Sequence, residues 1–369
     1  MLKIFPLAKS IADWPAGPPR HIQAHHPAPE DWADDLVWAE PSWCFHQTSP
    51  MGSLTADAKK KFSPKNIWVP PAYLVRLRAA KVAGMPLAVI NRHGMILGDI
   101  SIDWRFPRIN HKFLYPALRW EHHLRRPTLL LAATGAETFF HWIFESVCRG
   151  WLLEKARLLF HSFCHIIVNT TRIPYQRAML QHLGIPQDRL VPLDRCKTLR
   201  CDDLWVPSFP SSMGHYRPEA LAWLKSTFAP IRPISDRRRI IISRRFADCR
   251  RIKNEKQLQP LLKAARFDWV VLEKMKISEQ IALFAACSHV IAPHGAGLSN
   301  LAFAPLTCRV LEYFHPHQIN VCYWSLACAK GQPYRAGLAQ PSPDGDIKEF
   351  TKDILIPPDQ LKADLTSWL

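Results

Sequence analysis

The chain has little glycine, 14 residues in 369. That excludes collagen-like repeats and a glycine-rich flexible chain. Its ten cysteines include no C-x-x-C pair; the nearest spacings are Cys196 with Cys201 and Cys322 with Cys328. A zinc site of the usual spacing is therefore not written here. The cysteines sit inside apolar runs such as "FCHIIVN" and "AACSHVIA". They read as small buried hydrophobes in a reducing compartment, not as a disulfide frame. No apolar run approaches the roughly 18 residues of a membrane span. The opening "MLKIFPLAKSIADWP" is interrupted by Pro6 and Lys9 and lacks a small-residue cleavage site, which predicts no secretory leader. Acidic residues are also in deficit, 31 Asp and Glu against 48 Lys and Arg, a formal charge of +17. Such a balance favours anionic partners: nucleic acid, acidic lipid headgroups, sugar nucleotides or acidic glycans.

What is abundant is apolar material, 48% of the chain, and proline, 32 residues. The first suffices for packed cores, and the length suits two domains. The second, with the many Trp and His of residues 1–65, predicts an irregular opening. "AVINRHGMILGDI" (88–100) reads as a hairpin and "TLLLAAT" (128–134) as a buried strand. "ETFFHWIFESVCRGWLLEKARLL" (137–159) has apolar residues at helical spacing and predicts one long helix. Strand "FCHIIVN" and helix "PYQRAMLQHLG" follow, then strands over 189–194 and 203–209. "PSSMGHYRPEA" breaks the pattern near 210–218 and marks a domain boundary. Beyond it, strands "RIIISR", "DWVVLE", "HVIA" and "CRVLEYF" alternate with helices over 218–229, 254–265 and 278–288. That alternation predicts a parallel, doubly wound α/β domain. The expected division is 1–212, 213–340, and a tail of 341–369 ending in a helix that packs back on the first domain.

The stretch "HVIAPHGAGLSNLAFAP" (289–305) places Pro293-His294-Gly295-Ala296-Gly297 between a buried strand and a helix-like run. In a doubly wound sheet, ligands sit at the carboxyl ends of strands. Gly295 and Gly297 permit positive φ and close backbone approach. The N–H groups of Leu298, Ser299 and Asn300 open a helix and, with its dipole, suit a diphosphate. His294 adds a donor. A tight turn that needs glycine only for packing explains the same residues. The dinucleotide fingerprint is incomplete, because Asn300 stands where the third glycine belongs. "SDRRRIIISRRFADCRRIKNE" (235–255) holds eight basic residues in twenty-one positions. Arg244 and Arg245 close its strand and are candidates to clamp phosphates. Glu312, late in the next strand, is a candidate acceptor for ribose hydroxyls.

Three blocks in order, "FFHWIFESVCRGWLLEK", "ISRRFADCRRIKNEKQL" and "VIAPHGAGLSNLAFAPLTCRVLEYF", resemble glycosyltransferase family 61. The resemblance runs from about 137 to 314. It implies a GT-B architecture, two Rossmann-like domains with a cleft between them. It implies inverting transfer from a nucleotide sugar, usually a UDP sugar, held by the C-terminal domain. Bacterial polysaccharide enzymes of this family point to a glycan or lipid-linked acceptor, as in capsule or lipopolysaccharide synthesis. The location expected is cytoplasmic, with peripheral contact to an anionic inner-membrane face. Such a reaction needs a base and a stabilised leaving diphosphate. Glu145 and His141, an i,i+4 pair, are the candidate base, Glu145 first; a buried pair satisfying itself is the alternative. No metal and no cofactor beyond the nucleotide sugar is required, and Asp202-Asp203 is expected to face water. Two other classes stay open: a scaffold that retains the fold without turnover, and a basic nucleic-acid-binding protein, although no nucleic-acid motif stands out.

Overall fold

The computed structural model describes residues 7–8, 33–52, 54–84, 87–93, 96–97, 100–101, 122–196, 198–212, 214–230, 237–342 and 353–369. Most of the opening to residue 32, with Trp14 and Trp32, lies outside the described residues. So does much of the tail between 343 and 352. The chain forms two compact units, one of residues 1–44 and 68–212, the other of 45–67 and 213–369.

The first unit is built on a mixed sheet of ten strands. Its axis is the long strand Ala72–Ala83 paired antiparallel with Thr198–Pro207, in the register Val75↔Val206 and Leu77↔Leu204. Charged side chains between the apolar ones point away from the core, and Arg76 there holds Asp203 through two bonds of 2.6 and 2.9 Å. Asp202 pairs with His123 at 2.7 Å. Of Asp202 and Asp203 only the first is substantially exposed; Asp203 is drawn in by its arginine. Beyond Thr198–Pro207 come three short parallel strands, Thr128–Leu130, His165–Val168 and Leu190–Pro192. The first two are nearly continuous apolar runs because both their faces are covered. The hairpin near residue 90 is present, Ala88–Ile90 pairing antiparallel with Ile96–Leu97.

The expected long helix is shorter and broken. It starts as Phe139–His141, widens to a π-turn over Trp142–Ser146, tightens to a 3-10 turn over Val147–Arg149, and resumes as Gly150–Lys155. A π-turn shifts the side-chain register by inserting one residue, and such turns recur at functional sites.

The second unit holds five parallel strands in the spatial order Asp268–Val270, Arg238–Ile242, Cys287–Pro293, Arg309–Phe314, Tyr334–Leu338. Numbered along the chain this is 2-1-3-4-5, a doubly wound order that reverses between the first and third strands. Ile241, Ile291 and Leu311 are in register across the middle and anchor a core with Leu258, Leu262, Phe267, Leu361, Leu365 and Trp368.

Two placements differ from expectation. The tail helix Pro358–Thr366 packs in the second unit, not the first: Leu361 and Leu365 enter its core, and Asp364 accepts the Tyr313 hydroxyl at 2.7 Å. Residues 45–67 also belong to the second unit. Phe62 is buried there edge-on to Phe314 and Trp324, with centroids at 5.6 and 5.3 Å. Gln47 donates to Ser325 at 2.6 Å, and Trp324 Nε1 donates to the Thr48 carbonyl at 2.9 Å. Gly52 sits at φ +128° with its Cα against the backbone of Ala336, where both conformation and space demand glycine.

Lys330 ends the helix Cys322–Lys330 and is half-buried, its ammonium donating to the carbonyls of Leu301, Ala302 and Ala304. Burial lowers its pKa to about 7 from 10.5. Between these values the unfolded chain binds the proton more tightly, so this group's contribution to stability rises with pH and is flat below about 7. Urea melts of wild type and Lys330→Met at pH 7 and 10 are expected to show the difference, wild type minus variant, growing with pH.

Candidate functional site

The reversal point of the second unit's sheet lies between the ends of Arg238–Ile242 and Cys287–Pro293. Two chain segments leave the sheet there: 243–250, and the glycine turn 293–297. They meet where the Arg244 guanidinium packs on Gly295. A Cβ on Gly295 would fall 2.7 Å from Arg244 Cζ, and one on Gly297 would fall 2.8 Å from Leu272 Cδ1. Neither glycine adopts the left-handed region; Gly295 is extended at φ 171°. The glycines are therefore required by neighbouring side chains, above all by the arginine, and not by a left-handed turn.

The segment after the turn is a 3-10 helix, Ala296–Ala302, not an α-helix. Asn300 Nδ2 donates to the Gly297 carbonyl at 3.1 Å, taking an acceptor that an α-helix would give to residue 301. Leu298 N–H returns to the Gly295 carbonyl at 3.0 Å, and Leu298, Ser299 and Asn300 are all buried. Ser299 meets the Tyr323 hydroxyl, and Asn300 also holds Gln280. These three residues are structural. The half-buried Ala296 and Gly297 carry the N–H groups that open the turn.

Arg244 is half-buried at the side of this turn. Its Nε and Nη2 donate to the Cys249 carbonyl at 3.3 and 3.2 Å. Burial first, and then the adjacent Arg250 charge, lower its pKa. Among the described residues no carboxylate forms an ion pair with Arg244 or Arg250. Arg250 is held at φ +57°, in the left-handed region that non-glycine residues seldom adopt, and its Nε is buried without a partner. Two neighbouring cations, neither ion-paired to a carboxylate, form a site for a polyanion. Arg245 lies elsewhere: half-exposed, it bonds Ser243 and pairs with Glu255 at 3.7 Å.

Glu312 does not wait at a strand end for a ribose. It is fully buried, with Oε1 2.5 Å from His294 Nδ1 and Oε2 accepting the Tyr334 hydroxyl at 2.5 Å. A carboxylate only accepts, so the imidazole hydrogen is assigned to Nδ1. Next to Glu312, burial and that carboxylate hold the Tyr334 hydroxyl well above its usual pKa. The His294 ring stacks on Phe314 at 5.5 Å.

The first unit repeats this arrangement with unrelated residues. His141 Nδ1 lies 2.8 Å from Glu145 Oε2, and Ser212 donates to Glu145 Oε1 at 2.9 Å. Glu145 is fully buried, whereas the His141 side chain keeps 16% exposure. Gly135, at φ +85°, lets the chain lie against the His141 ring, where a Cβ would sit 3.0 Å from Cδ2. Four residues after Glu145, Arg149 is completely buried with no carboxylate within ion-pair distance among the described residues. It donates to the carbonyls of Leu130 and Ala132, and its plane lies 4.3 Å over Phe209. Burial lowers its pKa to about 9, against the opposing pull of Glu145.

Sequence reasoning named His141, Glu145, His294 and Glu312 but joined only the first two. The signal for the second pair lay in strand register, which sets Ala292 beside Glu312. Arg149, Arg250, Ser212 and Tyr334 were missed; nothing local marks them. Among the described residues no group of three or more His, Cys, Asp or Glu is placed to hold a metal ion.

Comparison with known proteins adds three findings. The model of the family described as Glycosyltransferase 61 matches residues 139–311, a span that includes both imidazole–carboxylate histidines and the arginine loop. The EGF domain-specific O-linked N-acetylglucosamine transferase of Drosophila melanogaster is 30% identical over 128 residues, which are 34% of this chain and 24% of that protein. The chain thus spans about a quarter of that relative. Among solved structures, the dodecameric iron-containing heptosyltransferase TibC, in complex with ADP-D-beta-D-heptose, aligns over 82% of this chain and 83% of its own at 12% identity and a TM-score of 0.30. Over residues 139–311 the chain is thus similar to glycosyltransferase family 61.

Proposed function

We infer that the protein is a glycosyltransferase, of the EC 2.4 class, that moves a sugar from a nucleoside diphosphate donor to a hydroxyl of a glycan or lipid-linked acceptor. One observation carries this reading: Arg244, half-buried and with no carboxylate ion-paired to it, packs on Gly295 at the reversal point of a doubly wound sheet. Arg250 and the Ala296 and Gly297 N–H groups complete a cradle for the diphosphate. The donor sugar is carried by UDP in this reading, as the family resemblance implies, and the overall arrangement is GT-B.

Transfer proceeds with inversion. The acceptor oxygen attacks the anomeric carbon opposite the diphosphate, and the bond from that carbon to the phosphate oxygen breaks with its electron pair. The arginines and N–H groups neutralise the charge on the departing diphosphate. The acceptor proton goes to His141. Glu145, fully buried with both oxygens engaged, acts through the imidazole: it orients the ring through Nδ1 and stabilises the cation that forms. These roles reverse the order of preference read from sequence. His294, held in the same way by Glu312, is a donor to the diphosphate. The +17 charge suits an anionic acceptor or an anionic membrane face, as surface-polysaccharide synthesis on the cytoplasmic side requires.

The test is release of nucleoside diphosphate from a panel of UDP, GDP, CDP and ADP sugars, with and without glycan acceptors. Release from one nucleotide class, accelerated by an acceptor, is expected. Tight binding without release points to a scaffold. No nucleotide binding, with DNA affinity falling steeply in salt, points to nucleic-acid binding.

A further inference from the structure

The loop that carries Arg244 and Arg250 also carries an aromatic ring that the core does not use. Phe246 is 56% exposed, the one exposed Phe, Tyr or Trp among the described residues of the second unit. Its position is built. Ala247 N–H donates to the Arg244 carbonyl at 2.9 Å, closing a four-residue turn with Arg245 and Phe246 at its corner. Arg244 anchors the same loop through the Cys249 carbonyl. The ring and the guanidinium on Gly295 are thus parts of one pinned segment. Lys274 Nζ stands 4.6 Å from the ring centroid and covers one face by a cation–π contact. The exposure belongs to what Lys274 leaves open.

We propose that Phe246 is the stacking platform for the nucleobase of the donor. The inference rests on the diphosphate reading of the same loop and deepens it. A flat aromatic face with Lys274 against it, on the same loop as Arg244 and Arg250, matches a ligand that joins a flat base to a polyanion. Pyrophosphate or a sugar phosphate would use the cations and leave the ring idle. Stacking reads the π-face common to all bases, so the platform binds nucleotides as a class. Choice among bases falls to hydrogen bonds at their edges.

The experiment is calorimetry of UDP, ADP and inorganic pyrophosphate against the full chain, as wild type, Phe246→Ala and Phe246→Trp. Because Phe246 is exposed, neither variant disturbs the core. Phe246→Ala is expected to weaken both nucleotides by about 5- to 150-fold, the range of base–aromatic stacking, with pyrophosphate unchanged and Phe246→Trp restoring affinity. If Phe246→Ala binds the nucleotides as wild type does, the platform is overturned and the diphosphate cradle stands. If wild type binds none of the three, both readings fall together.

Discussion

His141→Ala lowers sugar transfer by about 10²–10⁴-fold, the range of a positioned general base, and leaves nucleotide affinity unchanged. The expectation follows from burial. Glu145 has no exposure, and its two oxygens are engaged by His141 and Ser212. A proton from outside reaches the imidazole first. Glu145→Gln keeps the shape but removes the charge that stabilises the imidazolium, so its loss appears in kcat and in a displaced pH–rate profile, with KM for the donor little changed. Calorimetry with the donor nucleotide and single-turnover rates separate the steps. A His141→Ala enzyme that turns over at the wild-type rate removes the imidazole from the mechanism.

Arg244→Met weakens nucleoside diphosphate binding by about 10- to 150-fold, which corresponds to about 1.5–3 kcal/mol for hydrogen bonds to a charged group. Arg245→Met, by contrast, changes affinity little, because Arg245 is half-exposed and already paired with Glu255. The contrast is informative because the two arginines are adjacent in sequence and alike in composition. Wild-type affinity also falls with salt, and the Arg244→Met slope is shallower. Equal losses from both substitutions would mean that the basic run acts as a diffuse field and not as a site.

Much of the second unit could be read from its residues. Ile240–Ile242, Val290–Ala292 and Val310–Leu311 are buried on both faces, so their apolar runs are unmistakable. The first unit's central strand was missed, because Arg76, Arg78 and Lys81 interrupt Ala72–Ala83 and the partner of Arg76, Asp203, is 127 residues away. The helix Cys322–Lys330 was missed for the opposite reason: it is buried on nearly every side and has no polar face to reveal its period. At the site, residues joined within one turn of chain were legible, as His141 and Glu145 were. Residues joined through strand pairing, as His294 and Glu312 are, became a pair only with the register in hand. Arg244 and Arg245 carry the same local signal, and only their partners, Gly295 for one and Glu255 for the other, tell them apart.

The early segment 45–67 closes the second unit's surface over Phe314 and Trp324, which lie more than 250 residues further on. During synthesis that segment leaves the ribosome long before its binding face exists. Phe62 and Phe45 must wait as exposed aromatics until the last third of the chain has been made, while the strands on either side of them can already pair. The final folding step of the second unit therefore waits for the last third of the chain, and until then the segment is an exposed apolar surface.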